Sequence, residues 1–245
     1  MQTTSEHQAA RVEIESGFAW DEQDAYLFDI DGTLVRDINR IHMSSFAPSI
    51  RRVTGLDVSL EGVPVQGSTD TAILRDAFRM NAVPKAVFEP RMEAILEAMR
   101  ENVARRRHEF NLLVMPGVEE TLRHLTDKGA VLGVATGNLE EIGWIKLEEA
   151  GLRSWFRFGG FSDQFSVRSE MVGDAARIAR EIAGADARIC VVGDTLRDIE
   201  AAHANSLPVI AVATHHYSFD ALLEHRPEVC ATSLADLLAH TRVVL

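Results

Sequence analysis

Two carboxylates stand two residues apart in Asp29-Ile30-Asp31-Gly32-Thr33. The apolar run Ala25-Tyr26-Leu27-Phe28 precedes them and has the length of a buried strand, so both acids fall where a strand ends and a glycine turn begins. A carboxylate in that place can attack phosphorus, since aspartyl-phosphate formation is an established use of the group, and Asp29 is the candidate nucleophile. Asp31 lies close enough to give a proton to a leaving group and later take one from water. Gly32 lets a backbone N–H approach an anion closely. Taken alone, the fragment reads equally well as an acidic turn after a strand.

Two further segments carry matching chemistry. Thr136-Gly137-Asn138 follows the apolar run Val131–Ala135 and opens a helical segment. A hydroxyl, a glycine N–H and a helix N-terminus together make an anion site, although a plain helix cap accounts for the same residues. Gly193-Asp194-Thr195-Leu196-Arg197-Asp198 follows the run Arg188–Val192. Asp194 is a hard oxygen ligand suited to a divalent cation, and Asp198 can serve as a further ligand or support one from behind. The alternative is a solvated turn and helix start. In an open α/β sheet, ligands bind outside the carboxyl ends of the strands. Several carboxylates then meet a phosphate cradle at one edge, and like charges packed so closely call for a cation.

The ordered set resembles the motifs of the haloacid dehalogenase-like hydrolase superfamily, over about residues 24–240. Asp29-Ile30-Asp31-Gly32-Thr33 resembles the first motif, Thr136-Gly137-Asn138 the second, and Gly193 to Asp198 the fourth. The resemblance implies that Asp29 is the nucleophile and Asp31 the acid/base. It implies Mg²⁺ on the Asp29 carboxylate, the Asp31 backbone carbonyl and Asp194, with Asp198 beside them. It implies a phosphate site built from Gly32, Thr136, Gly137 and Asn138. The third motif usually supplies a lysine, and here Arg168, in Phe165-Ser166-Val167-Arg168-Ser169-Glu170, is the matching cation. Arginine would grip phosphate through a planar fork rather than a point charge. Arg168 as a surface residue is the competing reading, with Arg157 then a weaker candidate. The activity implied is Mg²⁺-dependent hydrolysis of a small-molecule phosphomonoester through an aspartyl-phosphate. A sugar-phosphate mutase would share the same core. A haloacid dehalogenase is disfavoured because a departing halide needs no proton from Asp31, and an idle binding module is disfavoured by the intact carboxylates.

The elements that must position these residues follow from the hydrophobic pattern. Short apolar runs at Tyr26–Ile30, Val131–Ala135, Trp155–Phe158, Arg188–Val192 and Val209–Ala213 alternate with amphipathic segments. This predicts an α/β fold: a Rossmann-like core with a parallel sheet of five or more strands and helices on both faces. Val118, Leu122 and Leu125 form one stripe ending at Gly129; Met171, Ala175, Ile178 and Ile182 form another ending at Gly184. Asn138 with Glu141 reads as a helix start and Gly151 as its stop. The interval 36–115 breaks the rhythm with helical patterns and no convincing strand. One helix there begins near Pro90, and another has Ser68 or Thr69 as N-cap. So long an interval is not a loop. It is read as an inserted α-helical cap, of the kind the superfamily's phosphoglycolate-phosphatase-like members carry. Residues 24–35 and 116–245 are then the core, and 1–23 a flexible lead-in.

Composition bounds the function. The 245 residues are 46% hydrophobic and 25% charged, ordinary for a soluble globular protein. A net charge of −12 argues against a nucleic-acid surface, and an anionic substrate therefore needs local cations or a metal. Cys190 and Cys230 lack metal-ligand spacing, and Cys190 reads as a buried free thiol. No window has the length of a membrane span, and the acidic N-terminal stretch lacks a signal's apolar core, so the expected residence is cytoplasmic. The expected partner is a small phosphorylated metabolite, with no nucleic acid and no membrane. His215 and His216 read as an exposed pair, with substrate contact the alternative. His42, Arg51, Arg52 and the Gly67-Ser68-Thr69-Asp70 turn read as solvated or capping residues that could face substrate.

Overall fold

The computed structural model describes residues 10–244. Its centre is a seven-stranded sheet. In chain order its strands are β1 (Val12–Ile14), β2 (Ala25–Phe28), β5 (Val131–Ala135), β6 (Phe158–Gly160), β7 (Ile189–Gly193), β8 (Val209–Val212) and β9 (Val229–Ala231); β3 (Val35–Asp37) and β4 (Leu112–Val114), which fall between β2 and β5, pair with each other elsewhere. Across the sheet the order is β1-β9-β8-β7-β2-β5-β6. All neighbours are parallel except β1, which runs antiparallel to β9. The chain builds outward from β2 through β5 and β6, then crosses back to lay β7, β8 and β9 on the other side. The strand order therefore reverses around β2, and a crevice opens at the carboxyl ends there.

Period-two alternation sends side chains to two cores. Tyr26 and Phe28 point to a face covered by α5 (Val118–Asp127) and α10 (Leu234–Val244), packing with Leu122, Leu125 and Leu237. Ala25 and Leu27 point to the other, covered by α7 (Arg168–Ala183), α8 (Leu196–Ala204) and α9 (Phe219–Leu223), among Met171, Ala175 and Ile199. A third core lies in a helical layer of α1 (Phe46–Thr54), α2 (Asp70–Met80), α3 (Lys85–Phe88) and α4 (Met92–Arg105). It takes Phe46, Leu74, Phe78, Ile95 and Met99, together with Leu139, Ile142 and Ile145 at α6 (Glu140–Glu149). Helix α6 is thereby buried from two sides.

Four sequence expectations are corrected here. The lead-in is not loose over residues 12–23. Val12 and Ile14 pack against the first core, β1 pairs with β9, and Trp20 is buried with its indole N–H donating to Thr241 Oγ1 at 2.8 Å. Three residues are too few for alternation to register in sequence; residues 1–9 lie outside the described part. The stretch 36–115 does hold strand at its ends: β3 and β4 form an antiparallel ribbon, Val35 opposite Val114 and Asp37 opposite Leu112. Trp155 ends a 3₁₀ turn, and the strand after it starts at Phe158. Asn138 does not cap α6, whose N-cap is Leu139 without a side-chain bond. Asp70 Oδ2 accepts the Leu139 N–H at 2.9 Å and Asp163 Oδ2 the Glu140 N–H at 2.7 Å, so remote carboxylates satisfy that helix start.

Candidate active site

Each carboxyl end at the crevice contributes a side chain. The residue after β2 is Asp29, whose N–H continues the ladder to the Val192 carbonyl at 2.8 Å. The residue after β5 is Thr136, and the residue after β7 is Asp194. Thr195 then caps α8 in a reciprocal box: its hydroxyl accepts the Asp198 N–H, while Asp198 Oδ2 accepts the Thr195 N–H at 3.0 Å. The capping box is what turns Asp198 inward. All five residues are buried, and a cavity of about 410 Å³ opens above them.

Carboxylate oxygens of Asp29, Asp194 and Asp198 lie within 4.8 Å of one another. Arg168, the first residue of α7, joins two of them. Its Nη2 donates to Asp29 Oδ1 at 2.7 Å and Asp198 Oδ1 at 2.6 Å, and its Nη1 to the Gly67 carbonyl at 3.0 Å. Arg168 is thus a buried site residue and not a surface one, whereas Arg157 is exposed and does not line the cavity. One guanidinium against three buried acids leaves negative charge uncompensated. Burial, with Asp198 and Asp31 adding to it, pushes Asp29 up to about 6 even against Arg168. Burial, with Asp29 and Asp198 adding to it, pushes Asp194 well above the carboxylate range.

Asp194 Oδ1 accepts from Thr33 Oγ1 at 3.1 Å, while Oδ2 is buried with no hydrogen-bond partner. An orphaned carboxylate oxygen beside two more carboxylates suits a hard divalent cation, so the residues fit the Mg²⁺ the sequence implied. Asp194 and Asp29 can offer oxygens to it. Asp198 is taken up by Arg168 and the Thr195 cap. The Asp31 side chain stands outside this trio. Gly32 is required where it lies: its φ is +93°, and a Cβ would run into the Asp194 carboxylate. Its carbonyl accepts from Thr214 Oγ1 at 2.5 Å, a contact no local pattern signals.

Asp31 faces the cavity with its side chain 41% exposed. Lys146 Nζ donates to both its oxygens, at 2.8 and 2.6 Å, and Asn138 Nδ2 donates at 2.8 Å. Burial alone would raise the Asp31 pKa, but the Lys146 ammonium and these bonds hold it below the ordinary range. Asn138 also donates to Thr136 Oγ1 at 2.6 Å, which fixes the hydroxyl at the cavity wall. Gly137 packs against the Ser68 carbonyl so tightly that no Cβ fits, and its own carbonyl accepts the Asp70 N–H at 2.8 Å. The Gly67–Asp70 turn therefore docks the helical layer onto the Thr136–Asn138 loop.

Lys146 was not singled out from sequence. It sits between Ile145 and Leu147 in a helix whose glutamates lie at its two ends, and a lone cation in the apolar middle is the one hint available. His42, read as solvated or capping, is buried against Lys146. His215 and His216 are exposed, as expected, and stand at the cavity mouth with ring centroids 3.7 Å apart. Arg51 and Arg52 pair on the surface with Asp57 and Glu101 and do not line the cavity. Both cysteines are free and buried.

A parallel sheet reversing at a strand that carries paired acids, with a fixed cation beside them, has the parts that phosphoryl transfer requires. The family model described as haloacid dehalogenase-like hydrolase matches residues 23–205. A phosphoglycolate phosphatase of Agrobacterium fabrum is 29% identical over 220 residues, covering 86% of this chain and 89% of that protein. The pyrophosphatase PpaX of Bacillus pumilus is 25% identical over 221 residues, covering 87% and 94%. In fold, the chain is similar to a crystal structure described as a predicted phosphoglycolate phosphatase from Haemophilus somnus, with a TM-score of 0.67, 19% identity, and 89% and 98% of the two chains covered. The chain belongs to the haloacid dehalogenase-like hydrolase family, and it is an enzyme of that family's phosphatase branch. Among the described residues, no helix is long and apolar enough to cross a membrane.

Proposed function

We propose that the protein hydrolyses a small phosphorylated metabolite in two steps through a phosphoryl group carried on Asp29. The observation that carries this reading is the buried trio Asp29, Asp194 and Asp198, knotted by Arg168 and leaving Asp194 Oδ2 without a partner. Asp29 attacks phosphorus in line with the leaving oxygen. Arg168, held by Asp198 and the Gly67 carbonyl, keeps one Asp29 oxygen fixed, which leaves the carboxylate a single approach to the cavity. Thr136 and the loop at Gly137 receive the equatorial phosphoryl oxygens. Mg²⁺, held by Asp29, Asp194 and the Asp31 carbonyl, would neutralise charge on the transferring group.

Asp31 serves both steps. Its low pKa keeps it ionised before substrate arrives. A phosphate dianion brought beside it raises its proton affinity, so it loads a proton and hands it to the leaving alcohol. Left as a carboxylate again, it draws the proton from the water that cleaves the acyl phosphate. The helical layer over the cavity limits the approach of bulk water to the buried trio. Cytoplasmic residence goes with such a substrate.

The test is phosphate release with Mg²⁺ from an aryl phosphate and a panel of metabolites. Phosphoglycolate and pyrophosphate, the substrates in the two relatives' names, head that panel. Substrate labelled at phosphorus should leave label on acid-quenched parent protein and none on Asp29→Asn. Equal turnover by the parent and Asp29→Asn would end the proposal. Isomerised sugar phosphate in place of free phosphate would assign the same core to a mutase.

A further inference from the structure

Lys146 is an expensive residue to bury. Its side chain is 1% exposed, on a helix whose neighbours Ile142, Ile145 and Leu147 are core. Desolvating an ammonium needs compensation, and methionine or leucine would fill the same space without it. The compensation is a ring of acceptors: both Asp31 oxygens, Asn138 Oδ1 at 2.7 Å and His42 Nδ1 at 3.0 Å. On the far side of the imidazole, His42 Nε2 lies 3.1 Å from Asp70 Oδ2. A carboxylate there draws the ring proton to Nε2, so Nδ1 is left to accept from Lys146. Asp70 is itself anchored by the Leu139 N–H.

The dependence is one-sided. Asp31 opens to the cavity and could be solvated without help, whereas Lys146 has no other charge to answer. One ammonium N–H shared between both carboxylate oxygens, with a further bond from Asn138, leaves the Asp31 side chain a single rotamer. His42 and Asp70 come from the helical layer, Lys146 and Asn138 from the core. We infer that Lys146 is a positioning residue for the acid/base: it holds the Asp31 carboxylate toward the cavity, and it is itself held by the His42–Asp70 pair of the helical layer. Asp31 is then properly aimed only when that layer is seated on the phosphate loop. This inference rests on the role proposed above for Asp31.

The experiment compares an alkyl with an aryl phosphate in the parent, Lys146→Met and Lys146→Arg, with Mg²⁺. An alkyl leaving group needs a proton and an aryl one hardly does. Misaiming Asp31 should therefore cost kcat/KM for the alkyl ester about 10²-fold, and for the aryl ester about tenfold less than that. Lys146→Arg should recover part of the loss. In an Asp31→Asn background, Lys146→Met should change either rate by less than about threefold, because nothing remains to be aimed. Should Lys146→Met melt before assay, His42→Ala, which removes only the outer support, should show the same leaving-group dependence at about a tenfold loss. Equal losses for both esters, or a full further loss on top of Asp31→Asn, would overturn the inference while leaving the hydrolase reading intact. A parent inactive toward both esters would remove both.

Discussion

Arg168→Met removes the guanidinium that ties the buried acids together while keeping most of its packing volume. Two charge-assisted bonds disappear, at 2.7 Å to Asp29 and 2.6 Å to Asp198, from a side chain 7% exposed. Breaking a buried pair by deleting one partner costs about 3–5 kcal/mol, because the remaining charge is left without compensation. A surface arginine would cost within about 0.5 kcal/mol. For a chain of this size 3 kcal/mol is about 6–12 °C in midpoint. The loss should also depend on pH, and the sign follows from Asp29. Its folded pKa, about 6, stands above the ordinary 3.8, so ionising it costs the fold, and stability falls as pH rises from 3.8 through 6. Without the guanidinium that pKa climbs further, and the variant goes on losing stability at higher pH than the parent. Urea melts in EDTA at pH 5.5 and 7.5 should therefore show the larger deficit at 7.5. A deficit under about 1 kcal/mol at pH 7.5 would refute the reasoning, and so would one that is the same at both values.

Three further outcomes follow from the same geometry. Mg²⁺ at 100 times its dissociation constant should stabilise the parent by about 2.7 kcal/mol, and Asp194→Asn should lose most of that gain in a thermal melt while remaining folded in EDTA. Gly137→Ala sets a methyl group against the Ser68 carbonyl and Thr69 Cα, so it should cost about 1–3 kcal/mol in chemical denaturation and weaken phosphate binding measured by calorimetry. His215, held down to about 4 by partial desolvation at the cavity mouth and by neighbouring His216 and Arg36, should titrate by NMR well below the usual 6.5; because the unfolded chain takes up that proton first, stability contributed here is lost as pH falls from 6.5 toward 4.

Sequence by itself determined what lies within one strand and its following turn. Asp29, Asp31 and Gly32, like Thr136 and Asp194, are legible because a short apolar run and the residues just after it occupy the same few ångströms, and the alternation of such runs with helical stripes fixes a parallel sheet. Arg168 could be proposed as the third-motif cation from that order, but its burial between Asp29 and Asp198 could not. Tertiary structure alone decided the rest. The strand Val12–Ile14 exists because β9 offers it an edge, and the ribbon of Val35–Asp37 with Leu112–Val114 pairs residues almost eighty positions apart. Asn138 reads as a cap and instead bonds Asp31 and Thr136, since Asp70 and Asp163 arrive from elsewhere to satisfy the helix. Lys146 shows the limit most plainly: periodicity reports which face of a helix meets apolar neighbours, and α6 is enclosed by the sheet core on one side and the helical layer on the other. The one carboxylate Lys146 meets is Asp31, 115 residues away, with His42 and Asn138 completing its partners, and that meeting is set by long-range packing rather than by local spacing.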